Sequence, residues 1–223
     1  MRLWIGFFVF GVLAVLTAAD TPRNNKFVMT EPGKELLTDD LSGPLDKGWK
    51  QAKGKWEAHE SATRGSEIKA DMHGAVMRRN VEFQNAAIQY SFKLDGTNAT
   101  TFSVNGAKGH VCRVRITPTG FSVHKDDTDG KTGPDKGEQL GLCTTPIEVG
   151  KWHTMHIEIH GKEIIAHMGD KFAYGKHEAI NTKKTNVGLT VAGEFASFKN
   201  LKMWEATEAK DWDKTREKML EKK

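Results

Sequence analysis

Between residues 151 and 206 the apolar and polar positions of the chain alternate with a period of two. Met155, Ile157 and Ile159 are interleaved with His156, Glu158 and His160, the pattern of a strand with one buried face. Gly161-Lys162 then reverses the chain into a second strand, so the pair reads as a hairpin. The same alternation appears over 87–94, where Ile88, Tyr90, Phe92 and Leu94 share a face, and again over 101–105. Asp95-Gly96-Thr97-Asn98 between them reads as a turn. A further hairpin is predicted from 111–116 and 121–125, turning at Thr117-Pro118-Thr119-Gly120. Short strands over 75–77, 187–193 and 198–204 complete the set. The predicted fold class is all-β, a sandwich of two antiparallel sheets, with Val114, Ile116, Phe121, Val123, Met155, Ile157 and Ile159 in its core. A helical pattern runs from 205 to 223, where Ala209, Trp212, Met219 and Leu220 form a narrow apolar stripe among charges.

The N-terminus changes the picture of where such a sandwich works. Met1 and Arg2 precede an apolar run over 3–16 and the small residues Thr17-Ala18-Ala19, the pattern of a secretory signal peptide over 1–19. The run falls short of the ~20 apolar residues a membrane span needs. The expected organisation is therefore a signal peptide (1–19), an extended polar lead-in (20–35), a β-sandwich domain (36–206) and a charged helix or tail (207–223). A secreted or periplasmic soluble protein, free of the membrane after cleavage, follows from that reading. Thirty-three Lys and Arg against 29 Asp and Glu give a net charge of +4, too mild to imply nucleic acid, and no basic stripe interleaved with aromatics is present. Cys112 and Cys143 are the two cysteines. In an oxidising compartment they could form a disulfide, while the parity that Cys112 shares with Val114 and Ile116 equally suits a buried free thiol.

The candidate chemistry is histidine-rich. Seven of the nine histidines fall between His110 and His177. Strand parity projects His156, Glu158 and His160 from the polar face of one strand, and Arg113, Arg115 and His124 from the polar face of the preceding hairpin. If both faces belong to one sheet they form a concave His/Arg/Glu surface able to bind sugar hydroxyls, hold a metal, or supply an acid and a base. Lys125 and Asp126, at the end of the hairpin, would form its rim together with the polar loop 127–137. A solvated outer face is the competing account of the same alternation. The acidic start of the loop suggests calcium, but Gly130 at the sixth place of the calcium-loop template puts Lys125 at the first and Lys136 at the twelfth, so that template fails. Trp49 and Trp56 read as buried anchors or as sugar-stacking platforms. No GxSxG, HExxH or GxxxxGK[ST] motif occurs, and no local pair of carboxylates marks a two-acid glycosidase.

The order of Trp49, Gly54-Lys55-Trp56, Ile88-Gln89-Tyr90-Ser91-Phe92, Lys151-Trp152-His153-Thr154, Gly188-Leu189 and Ser197-Phe198-Lys199-Asn200-Leu201-Lys202-Met203-Trp204 resembles the secreted 3-keto-disaccharide hydrolase domain family. The likeness covers roughly residues 36–206. It implies a jelly-roll, concanavalin A-like lectin/glucanase sandwich and a glycoside substrate oxidised at C3. A 3-keto group acidifies the neighbouring C2–H, so a base can remove that proton and expel the C1 substituent, and water addition completes a net hydrolysis. The route needs one base near neutral pKa and a group that polarises the ketone. With His156, Glu158 and His124 as the catalytic candidates, Arg113, Arg115, His160, Lys125 and Asp126 would bind substrate. An arginine or a bound divalent cation would polarise the ketone. A non-catalytic glycan- or partner-binding module is the alternative. Two or more of the candidate histidines and Glu158 in one cleft would favour the enzyme, and exposed aromatics on that face would favour the binder.

Overall fold

The computed structural model describes residues 27–43, 45, 48–130 and 132–221. Thirteen strands form one antiparallel hydrogen-bonded array that folds into two layers. Its spine is a pair of unusually long strands, β6 (Ala86–Gly106) and β13 (Lys184–Glu208), paired from Gly106↔Lys184 to Ala86↔Glu205. On the 86–93 half of β6 lies β10 (Trp152–His160), followed outward by β11 (Glu163–Met168) and β12 (Lys171–Lys176). The matching half of β13 pairs with β1 (Thr30–Asp39) and with β4 (Ala62–Ser66), which carries β3 (Lys55–His59). These strands are the first layer. The second layer grows from the 100–106 half of β6 through β7 (Gly109–Thr117), β8 (Gly120–Lys125) and β9 (Glu138–Thr144). On the β13 side it continues through β5 (Ala75–Phe83) to β2 (Trp49–Lys53).

Side-chain contacts within β6 prove the folding. Twelve residues of straight strand span roughly 40 Å, yet the rings of Tyr90 and Phe102 stack with centroids 5.2 Å apart. The two halves of one strand therefore face each other across the core. The residues 95–98 that read as a turn lie inside β6, where both long strands pass from one layer to the other. Gly96 (φ 83°) and Gly193 (φ 107°) adopt left-handed backbone there, and the register slips between Ala192 and Phe195. The turn signal was correct about local bending. Pairing with β13 kept the bend inside a strand.

The alternation predicts the core correctly: Val114, Val123, Ile116, Met155, Ile157 and Ile159 are fully buried and Phe121 nearly so. Trp49 and Trp56 are buried anchors, each 7% exposed, and not open platforms. The helix is shorter than the pattern suggests. Residues 205–208 remain in β13, with 206–208 paired to β1, and α1 spans Trp212–Glu221. Trp212 is wholly buried against Met29 and Ile165, and its Nε1 donates to Glu163 Oε2 at 2.8 Å. The β-structure begins at Thr30, inside the expected lead-in. The signal-peptide reading over 1–19 lies outside the described residues.

The proposed disulfide is corrected. Cys112 faces Lys125 on β8, whereas Cys143 on β9 faces Phe121. Two strand spacings and four residues of offset separate them by roughly 10 Å across and 13 Å along, beyond the ~7 Å Cα limit of a disulfide. Neither cysteine is part of a disulfide.

Candidate functional site

The residues expected to form one surface are divided between the two layers. His156, Glu158 and His160 share the outer parity of β10, but that side of the first layer is covered. Glu158 is fully buried, and its carboxylate accepts from the backbone N–H groups of Val28 (2.9 Å), Met29 (2.8 Å) and Thr30 (2.6 Å). It also bonds Thr30 Oγ1 (2.8 Å) and His167 Nε2 (3.1 Å). A charged acceptor meeting a row of otherwise unpaired backbone donors is a clasp for the N-terminal segment. His156 lies beneath Phe27, ring centroids 5.4 Å apart, and stacks on His167 at 5.0 Å. His160 pairs with Glu208 at 3.3 Å, at the rim of a separate cleft of ≈ 390 Å³ shared with Glu163, Lys176 and Arg216. The expected single His/Arg/Glu surface is thus not formed, because the chain termini cover half of it.

The outer side of the second layer carries the rest. Strand register aligns three transverse rows. The first is Asn80, Asn186, Asn105 and His110. The second runs Lys50, Arg78, Gly188, Ser103, Arg113, His124 and Gln139 across seven strands. The third is Lys53, Val76, Thr190, Thr101, Arg115, Ser122 and Leu142. Adjacent rows are ~7 Å apart. At the centre Gly188 leaves the surface open: a Cβ there would meet Ser103 Oγ at 2.7 Å and Arg78 Cγ at 3.4 Å. Beyond the first row lies a cleft of ≈ 440 Å³ lined by Lys108, His110, Thr128, Glu178 and Lys183 among others.

Hydrogen bonds order this face. Asn105 Nδ2 donates to Asn186 Oδ1 at 2.6 Å, and Asn105 Oδ1 meets His110 Nδ1 at 2.5 Å. His124 Nε2 lies 2.7 Å from Ser122 Oγ. Arg113 grips the buried Asp126 through Nε and Nη2, both to Oδ1. Burial first, and then the Arg113 and Arg115 guanidiniums, hold His124 below the usual imidazole range against the opposing pull of Asp126. Desolvation likewise lowers His110, with Asp126 opposing and Arg113, Arg78 and His73 adding to it. Both rings are neutral at pH 7 and can accept or donate a proton.

Lys125 does not reach the face. It lies on the opposite parity, 1% exposed, with its ammonium bonded to Asp135 and to the Lys136 carbonyl (2.9 Å). Its role is to anchor the 127–137 loop. In that loop carboxylate oxygens of Asp127, Asp129 and Asp135 lie within 4.8 Å of one another and could hold a cation. Each of these side chains already accepts backbone N–H groups of the loop. Asp126 borders the face but is spent on Arg113.

Arg78, His110 and the three asparagines were missed from the sequence. Parity on β5 marks Arg78 as outward beside the core residue Met77, but only register shows that it sits two strands from Ser103.

No protein-family model and no curated protein matches the chain. Among solved structures it is similar to a protein of unknown function with a galectin-like fold from Bacillus subtilis, at TM-score 0.62 and 10% identity over 81% of this chain and 100% of that one. It is also similar to the carbohydrate-binding module CBM66 from Bacillus subtilis, at TM-score 0.58 and 15% identity, covering 71% and 96% of the two chains. The β-glucanase of Bacillus licheniformis matches at TM-score 0.55 and 8% identity, covering 78% and 99%. The fold is the jelly-roll sandwich of the galectin-like and glucanase type.

Proposed function

We propose that this chain is a carbohydrate-active β-sandwich that holds a glycan on the outer face of its second layer. The observation that carries this is the set of in-register rows: amides, hydroxyls, neutral imidazoles and guanidinium forks over one open sheet. Such groups match sugar hydroxyls as paired donors and acceptors. The fold, shared with a carbohydrate-binding module and a β-glucanase, points the same way. The N-terminal pattern supports export to where glycans are met. The test is a glycan-array and calorimetric screen of the mature chain, repeated with Asn80→Ala and Gln139→Ala, two exposed residues of the rows. Binding that both variants weaken without changing the melting temperature supports the reading, and undiminished binding by both refutes it.

A catalytic reading of the same face is favoured by one specific arrangement, His124 opposite Arg113 on the neighbouring strand with Arg115 one row away. The three rows contain no carboxylate, so two-acid glycoside hydrolysis finds no partners in them. A 3-keto glycoside needs only a base and a cation near the ketone oxygen. In this reading the His124 imidazole takes the C2 proton, and Arg115 with Arg113 stabilises the enolate oxygen. The C1–O bond then breaks, the leaving oxygen takes the proton held by His124, and water adds across the resulting C1=C2 bond, hydroxyl to C1 and proton to C2. Turnover of a 3-keto disaccharide, with and without chelator, tests it. Loss of at least about 100-fold in kcat for His124→Ala is expected, and chelator-insensitive activity would make the arginines rather than a divalent cation the polariser.

A further inference from the structure

We infer that the ligand of this face is an acidic glycan, one carrying carboxylate or sulfate groups, rather than a neutral one. The inference rests on the reading of the face as a glycan site and adds its substrate class. Lys50, Arg78 and Arg113 stand in one row and Lys53 and Arg115 in the next. No acidic side chain occurs in any of the three rows. The adjoining carboxylate, Asp126, is 1% exposed and engaged by Arg113. The outward acidic residue farther along β5, Glu82, is paired with Lys183 at 2.6 Å. Arg78 and Arg115 are exposed, and neither makes a hydrogen bond or ion pair among the described residues.

The unpaired Arg78 and Arg115 share one sheet with the Asp126-bound Arg113, so positive charge is concentrated there; burial is the first cause that lowers His110 and His124, and these guanidiniums lower them further. Hydroxyl recognition does not require this charge, since the exposed Asn80 and Gln139 and the part-exposed Asn186, Thr101 and Thr190 already supply both donors and acceptors. A planar fork with five N–H donors matches a carboxylate or sulfate edge bidentately. The spacing is also defined. Arg78 and Arg113 lie three strand intervals apart, about 14 Å, and Arg113 and Arg115 about 7 Å apart along one strand. These distances suit anionic groups distributed along an oligosaccharide better than a single charged sugar.

The experiment is calorimetry of the mature chain with three oligosaccharides of equal length: a polyuronate, a sulfated galactan and a neutral galactan. A single-stranded oligonucleotide of matched charge is the fourth ligand. At least about tenfold preference for an anionic glycan over the neutral one is expected, falling as salt rises from 50 to about 300 mM. The stronger of the two anionic arms identifies carboxylate or sulfate. Arg78→Glu and Arg115→Ala should each weaken anionic binding about five- to tenfold while leaving the melting temperature unchanged, and Arg115→Lys should retain part of it. Equal affinity for the neutral galactan, with both arginine variants silent, overturns the inference while leaving the glycan site standing. Binding of no oligosaccharide overturns the underlying reading as well, and oligonucleotide affinity equal to the anionic glycans' overturns the assignment of ligand class.

Discussion

Replacing Glu158 with alanine isolates the contact that closes the first layer. The carboxylate receives three backbone N–H groups and one hydroxyl from Val28, Met29 and Thr30, and it meets His167. Hydrogen bonds to a buried charge contribute about 1.5–3 kcal/mol each. Their sum overstates the loss, because the N-terminal segment can peel away and return its donors to water. The limit is set by what docking of that segment contributes, and about 3–5 kcal/mol is expected, the range for breaking a buried charged contact. At 2–4 °C per kcal/mol for a domain of this size, the melting temperature should fall by on the order of 10 °C. Glu158→Gln keeps one acceptor oxygen but turns an amide N–H2 toward the donors, so roughly half the loss is expected. Urea titration gives the free energy, and limited proteolysis near residues 27–30 reports detachment of the segment. Since Met29 packs on Trp212, tryptophan emission should shift red in step. Below its melting point the Ala variant should still bind glycan, because the binding rows lie on the other layer. A melting temperature within about 2 °C of wild type, with unchanged proteolysis, refutes the clasp.

Three further outcomes are expected. Trp212→Ala should cost about 3–5 kcal/mol and release α1 to proteolysis, because this side chain is wholly buried between Met29 and Ile165; stability equal to wild type would mean the helix is undocked. Burial holds Lys184, whose Nζ donates to the Gln84 carbonyl at 2.6 Å, down at about 8 from 10.5. Between those pH values the unfolded state binds the extra proton, so stability is greatest above about 10.5 and is lost as pH falls toward 8. The stability of Lys184→Met relative to wild type should therefore rise by about 3 kcal/mol on going from pH 10.5 to pH 7, and a pH-independent difference refutes the assignment. Burial also pushes the Cys112 thiol up to about 12, so a thiol reagent should modify at most Cys143 in the folded chain and both cysteines in urea without reductant. Fewer than two thiols in urea would restore the disulfide.

The period-two alternation determined the inward residues of every strand it marked, because an apolar face has one energetically acceptable side and a one-residue slip would expose all of it. Met155, Ile157 and Ile159 needed no tertiary information. The outward residues were a different matter. His124 and Glu158 are locally alike, polar positions alternating with buried aliphatics, yet one lies on an open face and the other is sealed. The difference comes from residue 28, which is 130 positions from Glu158, and from a helix at the other end of the chain. No window of neighbouring residues carries that information. Register across β5, β13, β6 and β7 likewise brought Arg78 into the row of Arg113, a relation set by pairing of strands distant in sequence. The turn residues at 95–98 show the same division. Asp95-Gly96 dictated that the backbone bend there, and only continuous pairing with β13 decided that the bend would join two layers instead of ending a strand.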